Sequence, residues 1–353
     1  MSDREKAGLR GPVRTCLEET IFPGATTGDE TQIPERRSWY ATEYDVEGRV
    51  KVTRTRNSDG SEWVTRYTYD ASGNQLKTAC GKEDEPNQET NYFYGGHGRQ
   101  LHITDSRTPD NPITFRYDER GRKTKVGVFR SADYRPNAFV AGSPFEVADM
   151  APNLPGGGSA TTIYDEDDHA TEIQIRDTQG KLVSRTVRIY DAEGRIGEEK
   201  QILDKPEAII PMDAFEKMLE ASGASREELR EQLRGQLTKL MGGQVGPFSI
   251  VYNYDAQGRV YQMRRRIFNQ EDLIETTYNE HGDKATEITR GTQIGSEEEK
   301  STQGSGPPPY SEVRFSYRYD SHGNWTEEDV SYLLSPGGAL EHSTGRRRTL
   351  TYY

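Results

Sequence analysis

Tyr69-Asp70-Ala71-Ser72-Gly73-Asn74 is a phrase that the chain repeats. It returns as Tyr44-Asp45-Val46-Glu47-Gly48-Arg49, Tyr117-Asp118-Glu119-Arg120-Gly121-Arg122 and Tyr190-Asp191-Ala192-Glu193-Gly194-Arg195. Tyr254-Asp255-Ala256-Gln257-Gly258-Arg259 and Tyr319-Asp320-Ser321-His322-Gly323-Asn324 complete the set, and looser copies begin at Tyr94, Tyr164 and Tyr278. The phrase reads as a hairpin turn. Asp at the first turn position accepts a hydrogen bond from the N–H two residues on. Gly three residues later supplies the positive φ that closes a type I turn with a bulge. The expected turn residues are Asp45 and Gly48, Asp70 and Gly73, Asp118 and Gly121, Asp191 and Gly194, Asp255 and Gly258, and Asp320 and Gly323. Several repeats carry a second aromatic two residues before the Tyr, as in Tyr67/Tyr69, Phe115/Tyr117, Tyr252/Tyr254 and Tyr317/Tyr319. Residues two apart share a strand face, so these pairs are placed to pack on neighbouring strands.

Working outward, Tyr44, Tyr69, Tyr94 and Tyr117 recur roughly every two dozen residues, the period of an array. Asn57-Ser58-Asp59-Gly60 marks a second turn inside a repeat. Residues 131–160 interrupt the rhythm with four prolines, three consecutive glycines and several apolar residues, which predicts an ordered loop laid over or into the sheet. Asp177 to Lys181 reads as a turn that has lost its Tyr. Residues 206–246 change in kind. Pro211 is a helix starter, Ser225 with Glu228 forms a capping box, and Leu229, Leu233, Leu237 and Leu240 recur at helical spacing before Gly242-Gly243. This is a helical hairpin, expected to dock on the sheet through Phe215, Met218, Leu219 and that leucine stripe. The division is one continuous repeat domain, 1–205 and 247–353, with 206–246 inserted.

The 353 residues carry a net charge of −12 and are 31% hydrophobic, with 20 Tyr. An acidic balance argues against a nucleic-acid groove. Alternation sends Arg264-Arg265-Arg266 and Arg346-Arg347-Arg348 to both strand faces, so neither makes a basic stripe. Cys16 and Cys80 show no metal or redox spacing and read as free strand thiols, a disulfide being the alternative in an exported protein. No segment has the length of an apolar membrane span. The first residues lack the apolar region of a signal peptide. The expected location is periplasmic or extracellular if a leader has been removed, and cytoplasmic if not.

Chemistry is thinly written. His97, His281 and His322 sit just before the turn glycine and read as turn-tip residues rather than metal ligands. Asp165-Glu166-Asp167-Asp168 reads as a degenerate solvated turn, with calcium binding as the sharper alternative. There is no nucleophile elbow, phosphate loop or dinucleotide fingerprint. No cofactor or metal is expected. Trp39, Trp63 and Trp325 are the candidates for stacking on sugar rings, set against plain packing in the sheet.

The recurring Tyr-Asp-x-x-Gly-Arg/Asn phrase, from Tyr40 to Asn324, resembles the YD repeat of the RHS family. That resemblance implies a long β-strip coiling into a hollow shell; large members enclose a C-terminal toxin and some are cell-surface adhesion proteins. The chain looks like a small stand-alone relative without a toxin domain. The fold expected is mainly β: a twisted, curled antiparallel sheet of roughly 15 to 20 strands made of repeated hairpins, with one helical-hairpin insertion. The function expected is a non-catalytic scaffold or binding module for carbohydrate or a partner protein at the cell envelope. The alternatives are an enzyme with a cleft beside the insertions, using a glycosidase-like pair of acids, and a shell or chaperone for a partner polypeptide.

Overall fold

The computed structural model describes all residues except 27–31, 57–59, 83–84, 130–155, 205–211, 241–247, 268–269 and 294–309; the side chains of 25–26, 212–216, 234, 236–240 and 293 are also outside it. From Arg36–Tyr44 to Glu341–Tyr352, each long strand pairs antiparallel with the next in the chain. The strand Val13–Phe22 then pairs with Arg36–Tyr44 on one side and with Glu341–Tyr352 on the other. The sheet has 20 strands and closes on itself as a barrel. A two-residue ribbon, Ala25–Thr26 with Gln32–Ile33, stands apart from it.

Closure corrects two expectations. A curled sheet built as a stack of discrete hairpin repeats is not what forms, and the coiled strip implied by the RHS and YD-repeat resemblance does not describe this chain. The physical reason lies in the edges. An open strip leaves two rows of unpaired N–H and C=O groups. Val13–Phe22 satisfies both rows at once, because its two sides meet the first and last members of the run.

The repeat phrase sets the local geometry. Gly73, Gly121, Gly194 and Gly258 have φ of +85, +86, +75 and +78°. The strand register shifts by one residue immediately before the repeat Tyr, for example between Thr68 and Tyr69 and between Asn253 and Tyr254. A turn followed by a left-handed residue requires such a bulge. Because consecutive strands alternate in direction, all the Tyr-Asp turns lie at one end of the barrel. The strand ends at Phe22 and Arg36, Asp105 and Ile113, Phe129 and Gly157, Arg176 and Leu182, Leu203 and Phe248, and Leu333 and Glu341 lie at the other. The strand Gly157–Tyr164 begins inside the segment expected to be a loop to residue 160; residues 131–155 of that segment lie outside the described residues.

One face of each strand carries the repeat tyrosines and is the less exposed, as in Phe248–Tyr254, where Phe248 and Ile250 are buried and Asn253 is exposed. Side chains converge on the concave wall of a closed sheet, so this is the inward face. Its packing is divided among separate clusters rather than one core: Val126, Ala160 and Ile173 in one, Phe248 and Ile250 in another. A 20-strand ring is too wide for side chains from one wall to reach the other.

Three α-helices are described, α1 (Asp3–Lys6), α2 (Met212–Ser222) and α3 (Arg226–Leu240), besides a 3-10 turn at Gly96–Gly98. The capping box is formed, with Ser225 N donating to Glu228 at 2.8 Å and Glu228 N donating to Ser225 Oγ at 3.3 Å. Leu229 and Leu233 are buried with Leu219 between α2 and α3. Met218 is exposed. Phe215, Leu237 and Leu240 lie outside the described side chains.

Candidate functional site

At the turn end of the barrel the repeat residues form a chain of clasps. In one copy, Asp191 Oδ1 accepts from the N–H of Glu193 and of Arg195, at 3.0 and 2.8 Å, and Oδ2 accepts from Arg195 Nε at 2.7 Å. The guanidinium so held lies over the ring of the next repeat's Tyr254, 4.5 Å from its centroid. The Tyr254 hydroxyl donates to the carbonyl of Ile196 at 2.8 Å. The unit recurs: Arg49 lies over Tyr69, whose hydroxyl reaches Val50, and Arg259 lies over Tyr278, whose hydroxyl reaches Val260. Each Tyr-Asp phrase therefore ties its own turn and catches the following hairpin. Burial pushes the Asp191 carboxyl up, but the Arg195 N–H, guanidinium and charge outweigh it and leave the carboxyl below its ordinary value. Tyr69 is pushed up to about 12, by burial first and then by nearby carboxylates.

The clasp changes in the last hairpins of the run and at the closure. Tyr319 donates to Asp283 Oδ2 at 2.8 Å and accepts from Asn279 Nδ2 at 2.7 Å, and Tyr352 donates to Asp320 and accepts from Asn324 Nδ2. Histidine stands on the ring in both, His281 on Tyr319 and His322 on Tyr352, as His169 does on Tyr190 in the middle of the run. Asn324 also receives Arg10 N on Oδ1 at 2.6 Å and donates to Arg10 O at 2.9 Å. The Arg10 guanidinium donates to the carbonyls of Gly323 and His281. α1 covers the first turn, with Arg4 N donating to Gly48 O and Asp3 accepting from Val50 N. Leu9 packs beneath it with Val13, Cys16 and Tyr44.

The other expected site residues are dispersed. Trp63 and Trp325 face inward and Trp39 outward, as their pairing with the tyrosine-bearing rows requires. Trp63 donates its ring N–H to Cys80 Sγ, which also accepts from Thr65. Trp325 lies beneath Arg348, 3.5 Å from its ring centroid, and Arg56 covers Trp39 at 4.8 Å. Cys16 and Cys80 are free thiols. His97 has φ of 63° at its turn tip. Asp165 ties its own turn, while Asp168 occupies the glycine position with φ of 68° and holds Arg122 at 2.6 Å. Among the described residues, no group of three or more His, Cys, Asp or Glu is placed to hold a metal.

The triple arginines divide between the walls. Inward Arg188, Arg265, Arg346 and Arg348 meet Glu199, Asp272, Glu328 and Glu18 directly across strands. Glu199 is only 3% exposed at the side chain, and burial raises its carboxyl against the lowering effect of Arg188. A one-residue slip would send these charges to the outer wall and part them, so the pairs help fix register.

Outside the ring, at the long-connection end, lies a groove of about 580 Å³. Thr114 and Arg116 on one strand, Lys125, Gly127 and Phe129 on the next, and Ser159 on the third share its outward wall. The turn Asp177–Lys181, read from sequence as a repeat turn, lies at this end and supplies Thr178 and Gly180. These residues escaped the sequence reading because their adjacency depends on register across the Tyr117 bulge. Counting back from that turn would have set Arg116 opposite Lys125.

No family model matches the chain. No curated protein matches it either. Among solved structures, a porin-like protein from Bacteroides uniformis aligns with 97% of this chain and 99% of its own, at 10% identity and a TM-score of 0.36. A second porin-like protein, from Bacteroides vulgatus, aligns with 86% of this chain and 97% of its own, at 12% identity and a TM-score of 0.29. The TcdB2-TccC3 structure aligns with 90% of this chain but 15% of its own, at 11% identity and a TM-score of 0.40. None of these likenesses is close enough to carry an argument about this chain.

Proposed function

We propose that the protein is a non-catalytic barrel scaffold that presents a binding surface at the end opposite its clasped turns, for carbohydrate or a protein partner at the cell envelope. The observation that carries this reading is the asymmetry of the two ends. One end is a ring of short turns, most of them tied to the next by a tyrosine hydroxyl that donates to a backbone carbonyl and the last ones by a tyrosine that donates to an aspartate. At the other, the strand ends are separated by longer stretches of sequence, as between Phe129 and Gly157 and between Leu203 and Phe248. Long connections on a rigid frame are where binding residues concentrate. The buried carboxylates Glu199, Asp272 and Glu328 are each matched by an arginine, an arrangement suited to holding strands rather than transferring protons. No described helix is long and apolar enough to cross a membrane. Among the described residues, Arg264, Arg314 and Arg318 stand on the outer wall, where charge is costly in lipid.

The test screens the intact protein on a glycan array and an envelope-protein panel, and in parallel against glycoside, ester and phosphate substrates. The reading expects saturable binding without turnover. Turnover that vanishes on replacing one carboxylate would overturn it.

A further inference from the structure

We propose that the outer groove at the long-connection end is a binding site for an acidic saccharide. Arg116 and Lys125 are direct partners across adjacent strands. Both side chains are exposed, and they project from the same wall. Like charges directly opposite each other destabilise a sheet unless something of opposite sign lies between them. Among the described residues neither cation is paired with a carboxylate, whereas the inward arginines Arg188, Arg265, Arg346 and Arg348 each meet an acid at their cross-strand position. In a chain of net charge −12, two adjacent uncompensated cations stand out.

The groove supplies the remaining features of a sugar site. Gly127 lies between Thr114 and Ser159 in the ladder, so a small side-chain-free floor separates two hydroxyls. A Cβ at position 127 would come 2.7 Å from Thr114 Oγ1, which leans over the glycine and donates to its carbonyl at 3.5 Å, so a larger residue there would push that hydroxyl aside. Phe129 is 60% exposed on the same wall and offers a flat apolar face to a sugar ring. Thr178 adds a third hydroxyl from the neighbouring turn. Asp177, also on the wall, is turned to its own backbone, accepting from the N–H of Gln179 and Lys181 at 3.0 and 2.8 Å. The sugar's carboxylate or sulfate would bridge Arg116 and Lys125, its ring would lie on Phe129, and its hydroxyls would meet the Thr and Ser side chains. The volume suits a short oligosaccharide, within the usual range for small-ligand sites.

The test is calorimetric titration of the full chain with a galacturonic acid trisaccharide, a sulfated disaccharide, a neutral galactose trisaccharide and inorganic phosphate. The proposal expects an acidic sugar to bind and its affinity to weaken with salt. The double variant R116A/K125A should weaken it about tenfold or more, since charge-assisted hydrogen bonds are lost. Phe129→Ala should weaken the acidic sugars and leave phosphate unaffected. Melting curves establish that the variants remain folded. Because both substitutions are on exposed residues, a variant that unfolds is replaced by R116Q/K125Q, which keeps the side-chain bulk. Equal binding of neutral and acidic sugars, unchanged affinity in the folded double variant, phosphate binding as tightly as the sugars, or no binding at all would overturn it.

Discussion

The turn at Asp191–Arg195 and the turn at Asp320–Asn324 do the same work with different chemistry. In the first, everything needed comes from within the repeat: the carboxylate holds the guanidinium, the guanidinium covers the next tyrosine, and that tyrosine caps a carbonyl. In the second, the carboxylate and an asparagine hold Tyr352, a histidine covers it, and the segment at Arg10 is drawn in through both atoms of the Asn324 amide. The difference shows that propagation and closure are separate problems. A repeated phrase extends the sheet hairpin by hairpin. Joining its two ends requires residues that are distant in sequence, as Arg10 and Asn324 are.

Removing residues 1–22 should have the largest effect, since it deletes Val13–Phe22 and exposes both edges of the run. Stability of a domain is about 5–15 kcal/mol, and this change is expected to abolish the cooperative transition altogether. Circular dichroism melting with light scattering checks it, the expected signs being a broad transition and concentration-dependent association through bare edges.

A smaller effect separates seam from repeat. Asn324 is 2% exposed and has its amide fully engaged. Asn324→Ala should cost about 2–4 kcal/mol in denaturant titration, because it leaves the Arg10 backbone N–H and C=O without the amide that pairs them and takes one of two hydrogen bonds from the Tyr352 hydroxyl. Tyr254→Phe removes one hydroxyl from one repeat clasp and should cost about 1 kcal/mol. Equal costs would erase the distinction drawn between the two kinds of turn.

The smallest effect is on pH dependence. Asp45, Asp118, Asp191 and Asp255 have carboxyls below their ordinary value of 3.8; burial opposes this in each, and the hydrogen bonds and charge of the following arginine prevail. Their contribution is present in full above 3.8 and is lost as the pH falls through the lowered folded values. Melting temperature should drop in that acid window. Replacing all four by Asn should flatten the drop while leaving the closure residues intact.

The sequence made the turns legible because their chemistry is local. Asp70 and Gly73 announce both an Asx hydrogen bond and a left-handed residue, and the structure shows Ser72 N donating to Asp70 and φ of +85° at Gly73. Closure was not legible. The strand Val13–Phe22 carries no repeat phrase, and its registers with Arg36–Tyr44 and Glu341–Tyr352 become apparent only when both partners are in place. The family resemblance rested on the same local phrase, which is why it misled about the global form. The groove was hidden for a related reason: Arg116 and Lys125 become neighbours only through the bulge beside Tyr117. The tryptophans, conspicuous by residue type, prove to be dispersed over both walls.

Closure itself is tested most directly by cross-linking. Leu17 lies opposite Thr349 in one neighbouring strand and opposite Ala41 in the other. With Cys16 and Cys80 replaced by serine, the pairs L17C/T349C and L17C/A41C are each oxidised and assayed for an intramolecular disulfide by peptide mapping. The closed barrel predicts that both pairs form within one molecule of native melting behaviour. A disulfide in only one pair, or cross-links only between molecules, would contradict it and leave the sheet open.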